Sequence, residues 1–412
     1  MSKADWKEGV IKDYAVVYSG ATPKSGNPDF WGGDIPWLTP KDLSDNPAIY
    51  TQKGARSITQ KGYESCSTRL LPKGTVLLSS RAPIGYVTIA DNEICTNQGF
   101  KNLVLNDEQV PEFWYYMLQT MTDYMYTVAG GSTFKEISKR SVESLKVTVP
   151  PLDEQRQIVA VMQSIDQAIS DQETHVKAIE KVRENTLHAL LAECGDDWEE
   201  VAVGEFCKVR SGFAFKSKDW QKSGVKVAKI GNVRNGILDT SDEICAFVSE
   251  EVAEKNKEWE IQSGDIMVKM SGATVGEIGV KIGDERILQN QRLGKFSLKE
   301  QVNYEVSNSY LFVAVKTKRF FDKMIRRAFG SAQPNISGAQ IESIEVPLPP
   351  LDEQQRIVDV MQSIDSHLAD ARHQLESMRK LRGEVLNALL SGEHEIPTDF
   401  DPTMRQLNSE DN

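Results

Sequence analysis

The sequence contains little histidine, and its position excludes several kinds of chemistry. The five histidines are His175, His188, His367, His373 and His394. All of them lie in two long stretches of helical pattern or in the C-terminal tail. The two large remaining segments therefore have no imidazole to serve as a general base or a metal ligand. This absence disfavours hydrolytic catalysis in those segments.

Cysteine is also scarce, and its spacing is not that of a metal site. The five cysteines are Cys66, Cys95, Cys194, Cys207 and Cys245. No two of them form a Cys-x-x-Cys pair, and their number is odd, so neither a zinc site nor a disulfide framework is indicated. We expect reduced, buried thiols and no metal site.

Long apolar runs and nucleotide-binding loops are missing as well. No stretch approaches the roughly 18 apolar residues of a membrane helix, and residues 1–6 lack the apolar core of a signal peptide. We therefore expect a cytoplasmic protein that does not contact a membrane. No Gly-x-x-x-x-Gly-Lys-Ser/Thr loop is present, so ATP or GTP turnover has no visible site on this chain.

The negative net charge of −12 is unevenly distributed. Residues 1–150 carry 16 basic and 16 acidic side chains, and residues 194–349 carry 22 and 23. The excess acid lies in the remaining segments. Nucleic acid therefore remains a plausible ligand of the two large segments, but only through local clusters or with the help of a basic partner.

What the sequence does contain is a long internal repeat. Residues 150–155 read Pro-Pro-Leu-Asp-Glu-Gln and recur at 349–354, and the similarity continues to Asp166 and Asp365. Of the 17 aligned positions, 14 are identical. Such agreement within one chain indicates a tandem duplication.

After each copy of this motif the sequence takes up helical spacing for about 40 residues without internal proline. Apolar residues alternate at spacings of four and three, which is the heptad pattern of a coiled-coil seam. An arginine interrupts both seams at the same place, Arg183 and Arg382. Two matched seams favour mutual antiparallel pairing over separate docking on the neighbouring domains. The principal seam residues are Ile158, Met162, Ile165, Ile169, Ile179, Leu190, Ile357, Met361, Ile364, Leu368, Leu375, Met378 and Leu389.

The two globular segments are related to each other. Val-Tyr-Ser-Gly at 17–20 corresponds to Val-Arg-Ser-Gly at 209–212, and Asn97-Gln98 corresponds to Asn290-Gln291. Short apolar runs at 75–78, 87–90, 103–105 and 147–149 predict strands. One helix is expected at 112–126 and another at about 308–328. Each module is therefore predicted to mix α and β structure.

These observations predict an α+β protein with pseudo-two-fold repeat symmetry, in which two similar modules are separated by two long helices that form an antiparallel coiled coil. The predicted boundaries are 1–150 and 194–349 for the modules and 151–193 and 350–391 for the helices. The acidic tail, 392–412, has no apolar period, and we expect it to be disordered.

The side chains that could carry function are those of recognition. Arginine can bind guanine and asparagine or glutamine can bind adenine through paired hydrogen bonds in the major groove. Taken singly, such residues in loops are usually only solvated, and Asn97 or Asn290 can equally cap turns. The cluster of basic residues at 316–327 could meet phosphates or form a solvated helix face. The candidate DNA-binding residues are Lys41, Ser79, Ser80, Arg81, Asn97, Gln98, Ser132, Lys229, Lys269, Ser271, Asn290, Gln291, Arg292 and Ser331.

The order of these motifs resembles the specificity subunit of type I restriction-modification systems. Each copy of Pro-Leu-x-Glu-Gln opens a long helix, and each is preceded by a module with Ser-Gly, then Arg-Ala-Pro-Ile-Gly or Ser-Gly-Ala-Thr-Val-Gly, then Asn-Gln. The resemblance covers roughly residues 5–391. It implies two target recognition domains that bind a bipartite, asymmetric DNA sequence.

The resemblance also implies partners and cofactors. Two modification (methyltransferase) subunits and restriction (translocase and nuclease) subunits are expected around a non-catalytic subunit that binds double-stranded DNA. S-adenosylmethionine, ATP and Mg are expected on those partners, and no cofactor is expected on this chain. Two alternatives remain open: a coiled-coil scaffold whose modules bind protein or another ligand, and the specificity subunit of a related type II system.

Overall fold

The computed structural model describes residues 5–45, 48–131, 135–192, 198–328 and 334–392. The chain divides into two compact units, one formed by Met1–Thr174 with His373–Asn412 and the other by His175–Arg372. Each unit thus contains one module and one half of each long helix. These divisions cut across the helices, whereas the boundaries predicted from the sequence fall at the helix ends. The predicted disordered tail lies, from residue 393 on, outside the described residues.

The first module is built on one larger and two smaller sheets. Strands β2, β9, β6, β7 and β4 form the larger sheet, β5, β3 and β8 form the second, and β1 pairs with β10. The strands are β1 (Lys7–Val10), β2 (Ala15–Ser19), β3 (Trp31–Leu38), β4 (Tyr50–Thr51), β5 (Arg56–Ile58), β6 (Val76–Ser80), β7 (Ile84–Ala90), β8 (Cys95–Thr96), β9 (Phe100–Leu105) and β10 (Lys146–Val149). The helices are α1 (Pro40–Asp45), α2 (Gln60–Glu64), α3 (Pro111–Thr120), α4 (Thr122–Val128) and α5 (Lys139–Glu143), with a 3-10 turn at Pro28–Phe30.

The second module repeats this plan with different edges. Its sheets have the orders β12-β21-β18-β19-β16-β15, β13-β17-β14-β20 and β11-β22. The strands are β11 (Glu199–Ala202), β12 (Cys207–Ser211), β13 (Trp220–Gln221), β14 (Val225–Ala228), β15 (Val233–Arg234), β16 (Ile237–Leu238), β17 (Ala246–Val248), β18 (Ile266–Lys269), β19 (Ile278–Val280), β20 (Ile287–Gln289), β21 (Leu293–Leu298) and β22 (Glu345–Leu348). The helices are α7 (Val203–Phe206), α8 (Glu250–Lys255), α9 (Asn308–Val315), α10 (Lys318–Ala328) and α11 (Gly338–Glu342), with a 3-10 turn at Ser217–Asp219.

The strands and the mixed α and β character of the modules agree with the sequence prediction, but the single helix predicted in each module is wrong. In both modules it is two helices, α3 with α4 and α9 with α10. At the break, the hydroxyls of Thr120 and Thr317 donate to the carbonyls three residues earlier, at 2.8 and 2.9 Å. Threonine hydroxyls that compete for helix carbonyls favour a bend or an end.

The two predicted long helices are α6 (Leu152–Ala192) and α12 (Leu351–Ser391). Both begin directly after a pair of prolines, and both carry an acidic pair in the first turn, where the helix dipole favours negative charge. The helices run antiparallel within each unit, because a residue later in α6 pairs with a residue earlier in α12. In the second unit Arg183 meets Asp365 and Glu180 meets Arg372. The predicted coiled coil is therefore confirmed.

The arginine that interrupts each seam pairs with an aspartate of the repeated motif. Arg382 donates two hydrogen bonds to Asp166 in the first unit, the longer at 3.3 Å. Arg183 donates two to Asp365 in the second unit, the longer at 3.2 Å. A forked guanidinium matches a carboxylate only in one alignment, so these pairs fix the register of the helices.

The last residue of the repeated motif is a buried clamp. In the first unit, Gln155 accepts a hydrogen bond from the Val110 amide at 3.0 Å and donates to the Pro150 carbonyl at 3.0 Å. In the second, Gln354 accepts from the Ser307 amide at 2.9 Å and donates to the Glu305 and Pro349 carbonyls at 2.8 and 2.9 Å. Each clamp joins the start of a long helix to the start of α3 or α9, which explains why this motif recurs so faithfully.

The core of each unit includes the far end of a long helix. Leu386 and Leu389 of α12 pack with Trp114 and Phe113 in the first unit. Leu187 and Leu190 of α6 pack with Leu311 and neighbouring residues in the second. None of the described helices is both long enough and apolar enough to cross a membrane.

Candidate nucleic-acid interface

The predicted Asn-Gln dipeptides occupy equivalent turns in the two modules. In the first, β3 and β8 run parallel and end side by side, with Leu38 opposite Thr96. In the second, β14 and β20 do the same, with Ala228 opposite Gln289. The Asn97 amide donates to the Leu38 carbonyl at 2.9 Å, and the Asn290 amide donates to the Ala228 carbonyl at 3.1 Å. The two turns therefore begin at the ends of matching strand pairs.

A glycine lets another segment approach each turn closely. A Cβ on Gly20 would lie 2.2 Å from the Asn97 carbonyl oxygen, and one on Gly212 would lie 2.3 Å from the Gln289 carbonyl oxygen. Any larger side chain would clash with backbone, so only glycine fits. This contact explains the glycine of the repeated Ser-Gly motif.

Both asparagines cap their own turns. The Asn97 side-chain oxygen accepts from the Gly99 amide at 2.8 Å, and the Asn290 oxygen accepts from the Arg292 amide at 3.3 Å. The structure thus shows the turn-capping role that the sequence left open. Base contact by these two residues stays a prediction.

A glutamine follows the asparagine in both modules, and the residue after it differs: Gly99 in the first module is buried, whereas Arg292 in the second is exposed. Gln98 and Gln291 are exposed, and Gln98 accepts a hydrogen bond from the Thr22 hydroxyl. Arg292 stands where the first module has Gly99: its carbonyl accepts from the Met270 amide directly after β18, and the Gly99 carbonyl accepts from the Ser80 amide at the end of β6. A Cβ on Gly99 would meet Pro40 at 2.9 Å, so this turn lies against α1. The framework is the same, and the surface it presents is different.

Two of the predicted lysines lie on the surface beside these turns. Lys41 follows Pro40 at the start of α1 and is exposed. Lys229 follows directly on Ala228, the residue whose carbonyl holds the Asn290 amide, and it is also exposed. The structure therefore brings a cation close to each Asn-Gln turn.

Two of the predicted serines of the first module, Ser79 and Ser80, are structural. Ser79 is buried; its hydroxyl donates to the Pro83 carbonyl and accepts from the Tyr86 amide, both at 2.8 Å. Ser80 is also buried and accepts from the Lys101 ammonium at 3.0 Å. The residue pattern could not distinguish inward from outward positions on this strand. Their side chains hold the β6–β7 hairpin and are not at the surface.

Arg81 follows these serines and is partly exposed. Its guanidinium pairs with Glu136 at 3.4 Å, and the buried Lys101 pairs with the same carboxylate at 3.3 Å. Burial lowers the pKa of Lys101, and the charge of Glu136 opposes this shift. Arg81 therefore takes part in an internal charge network, although part of its surface reaches solvent.

In the second module, Lys269 is buried and pairs with Glu277 at 2.5 Å, while it also donates to the Thr274 hydroxyl at 3.0 Å. The ammonium group of this lysine is thus paired with groups of its own module. The Ser271 hydroxyl is buried without a hydrogen-bond partner among the described residues. Ser132 and Ser331 fall outside the described ranges.

The basic cluster at 316–327 lines a cavity of about 1010 Å³ in the second unit. Arg319 and Lys323 pair there with Glu200, at 2.7 and 3.7 Å. Lys316 lies above the Phe312 ring at 4.6 Å, and burial lowers its pKa, with a further contribution from the charge of Arg183. Part of this cluster is therefore satisfied internally.

Sequence reasoning missed one cation on the sheet that carries the first turn. Arg56 on β5 lies over the Trp31 ring, with its guanidinium carbon 3.4 Å from the ring centroid. The two residues are 25 positions apart in separate strands, and only the sheet brings them together. No group of three or more His, Cys, Asp or Glu residues suited to a metal ion occurs in the described part of the chain.

Comparison with known proteins gives the same picture as the geometry. The family model for the type I restriction modification DNA specificity domain matches twice, at residues 3–181 and 195–377. The type I restriction enzyme MjaIX specificity subunit of Methanocaldococcus jannaschii is 28% identical over 94% of this chain and 93% of its own length. The MjaVIII specificity subunit of the same organism is 26% identical over 94% of this chain and 92% of its own length.

Solved structures share the fold. The S subunit of a type I restriction-modification system from M. genitalium superposes with a TM-score of 0.52 at 17% identity, covering 95% of this chain and 97% of that one. A chain from a structure that addresses complex assembly and conformational transition of the type I R-M system gives a TM-score of 0.65 at 15% identity, covering 94% and 97%. With two matched domains that together span most of its length, this chain belongs to the type I restriction-modification DNA specificity family.

Proposed function

We propose that this chain is the sequence-recognition subunit of a type I restriction-modification complex and binds a bipartite, asymmetric DNA target. The observation that carries the proposal is the pair of matched turns. Backbone hydrogen bonds place Asn97-Gln98 and Asn290-Gln291 equivalently, while the next residue is a buried glycine, Gly99, in the first module and an exposed arginine, Arg292, in the second. Two equivalent frameworks with different side chains are suited to reading two different half-sites.

We infer that α6 and α12 set the distance between the half-sites. A continuous helix of 41 residues is about 60 Å long, and successive turns of a duplex are about 34 to 36 Å apart. The Arg382–Asp166 and Arg183–Asp365 pairs hold the helices in one register. This role predicts a gap of fixed length in the target.

The chain itself is proposed to be non-catalytic. Partner methyltransferase subunits would bind S-adenosylmethionine and modify the DNA, and partner restriction subunits would use ATP and Mg. The near-neutral modules support this division of labour, since additional phosphate contacts would have to come from basic partners. The proposed complex works on double-stranded DNA in the cytoplasm.

The decisive experiment is to map methylated positions in host DNA when the chain is expressed with its modification subunit. A bipartite motif with a constant gap is expected, and the purified chain alone should methylate nothing. Methylation without regard to sequence would contradict the proposal.

A second experiment tests the spacing. One heptad is inserted after Thr174 and another after Arg372, which keeps the seam in register and lengthens each helix by about 10 Å. The gap should grow by about three base pairs, at roughly 3.4 Å per pair. A control replaces seven exposed residues of the same helices without insertion, and its gap should stay constant. An unchanged gap in the insertion variant would contradict the spacing role.

A further inference from the structure

Arg56 of the first unit is held on an aromatic platform. Its guanidinium carbon lies 3.4 Å from the centroid of the Trp31 ring. Trp31 in turn meets Trp37 edge to face, with centroids 5.0 Å apart and planes at 81°. Trp37 is buried, and its indole donates to the Ala21 carbonyl at 3.0 Å. The platform is therefore anchored in the module.

The guanidinium of Arg56 has no acidic partner within the described structure. It is exposed, and it makes no ion pair or hydrogen bond with another described residue. By contrast, Arg81 is paired with Glu136. A guanidinium stacked on a ring keeps its N–H groups free at the edge and loses little further side-chain entropy when it binds.

The platform and the Asn97-Gln98 turn share one sheet. Arg56 is opposite Trp37 in the β5–β3 pair, and Trp37 is opposite Cys95 in the β3–β8 pair, two residues before Asn97. Trp37 binds the Ala21 carbonyl, and the next residue, Thr22, donates to Gln98. Arg56 and the turn thus lie on the outer strands of one three-stranded sheet, with β3 between them.

The second unit has a matching platform with another cation. Trp220 follows the 3-10 turn Ser217–Asp219 as Trp31 follows Pro28–Phe30. The Lys229 ammonium lies 5.3 Å from the Trp220 ring centroid. Phe215 supports Trp220, with centroids 5.5 Å apart. Both modules therefore place a cation on a tryptophan of the sheet that carries the Asn-Gln turn, but only the first uses arginine.

We propose that Arg56 reads a guanine in the half-site bound by the first module, an inference that rests on the proposed DNA-recognition function. Arginine binds the O6 and N7 atoms of guanine with two parallel hydrogen bonds, and such a pair discriminates against other bases by about 10- to 100-fold. Lys229, with a point charge and no planar fork, has no equivalent bidentate geometry. The first half-site therefore contains a guanine whose recognition depends on the fork of Arg56.

The test compares methylated motifs in host DNA for the full complex carrying wild-type chain, Arg56→Ala, Arg56→Lys or Arg69→Ala. Arg69 is a matched control, because it is exposed and also stacks on a ring, that of Tyr18 at 4.7 Å, but Tyr18 belongs to β2 of the larger sheet. Arg56→Ala should lose preference for guanine at one position of one half-site, by about 10- to 100-fold, and leave the other half-site unchanged. Arg56→Lys should not restore the preference, since it keeps the charge without the fork.

Thermal unfolding of each variant complex separates recognition from folding, and Arg56→Ala should melt within a few degrees of wild type. Three results would overturn the role of Arg56 without affecting the recognition function. The bipartite motif could stay intact in Arg56→Ala, the guanine preference could be fully kept in Arg56→Lys, or the preference could be lost only in Arg69→Ala. A wild-type complex without any sequence motif would overturn the recognition function as well.

Discussion

The two units hold their repeated Arg–Asp pair in different surroundings. In the first unit, the Tyr116 hydroxyl donates to Asp166 at 2.8 Å and the Tyr116 ring lies 5.7 Å from the Arg382 guanidinium carbon. In the second, Arg183 lines the large cavity together with Lys316. The Asp166 side chain is 23% exposed and the Asp365 side chain 42%. The duplication has kept the contacts that align the helices and changed the side chains around them.

Replacing the buried glutamine clamps should have the largest effect, and a similar one in both units. Gln155→Leu and Gln354→Leu would each leave an amide and at least one carbonyl without their partners in a buried site. Each unpaired buried group costs about 1 to 3 kcal/mol, so we expect the free energy of unfolding to fall by about 3 kcal/mol. Urea denaturation followed by tryptophan fluorescence measures this change.

The matched controls for the clamps are Gln163→Leu and Gln362→Leu. These two glutamines lie later in the same repeated segments, 150–166 and 349–365, but are exposed. They should change the free energy of unfolding by less than about 0.5 kcal/mol. Equal effects in clamp and control variants would show that the clamps do not stabilise the helix starts.

The Arg–Asp pairs should distinguish the units. Asp166→Asn removes the negative charge that balances the part-buried Arg382 and that accepts the hydrogen bond of the Tyr116 hydroxyl. We expect the free energy of unfolding to fall by about 2 kcal/mol. Asp365→Asn should cost about 1 kcal/mol, because solvent reaches that carboxylate more readily. Thermal unfolding of the two single variants gives the comparison. A larger loss for Asp365→Asn would contradict this assignment of the more enclosed pair.

Thiol reactivity should show the smallest difference between the units. Burial raises the pKa of Cys95 to about 11 and that of Cys207 to about 12. Because only the thiolate reacts, and at pH 8 about one thiol in a thousand or fewer would be ionised, iodoacetamide should label neither residue in the folded protein. Cys66, which is partly exposed, serves as the reference. Mass spectrometry of the labelled protein before and after unfolding tests this, and rapid native labelling of Cys95 or Cys207 would refute it.

The architecture was predictable from the sequence because it depends on periodic and repeated features. The apolar seam from Ile158 to Leu190 and its copy predict two helices independently of the loop sequences. The 14 identical positions of 17 reveal the duplication. The helix breaks at Thr120 and Thr317 were missed, because a threonine that bonds back to a carbonyl looks like any other helical threonine.

The site was less predictable, because direction and distance decide it. Ser79 and Lys269 have suitable chemistry but point into the module, and strand spacing alone did not reveal which face is buried. The partners of Gln155 and Arg56, which are Val110 and Trp31, are remote in sequence. Only the packed structure identifies a residue as a clamp or as a stacked cation.

The contribution of Leu386 and Leu389 to the first core, and of Leu187 and Leu190 to the second, has a consequence for proteolysis. Each core contains residues from both repeats, so a single cleavage between the repeats would not release two independently folded fragments. Each fragment would retain an exposed leucine row that fits the other fragment. Such a nicked protein should therefore remain associated and separate only when it is denatured.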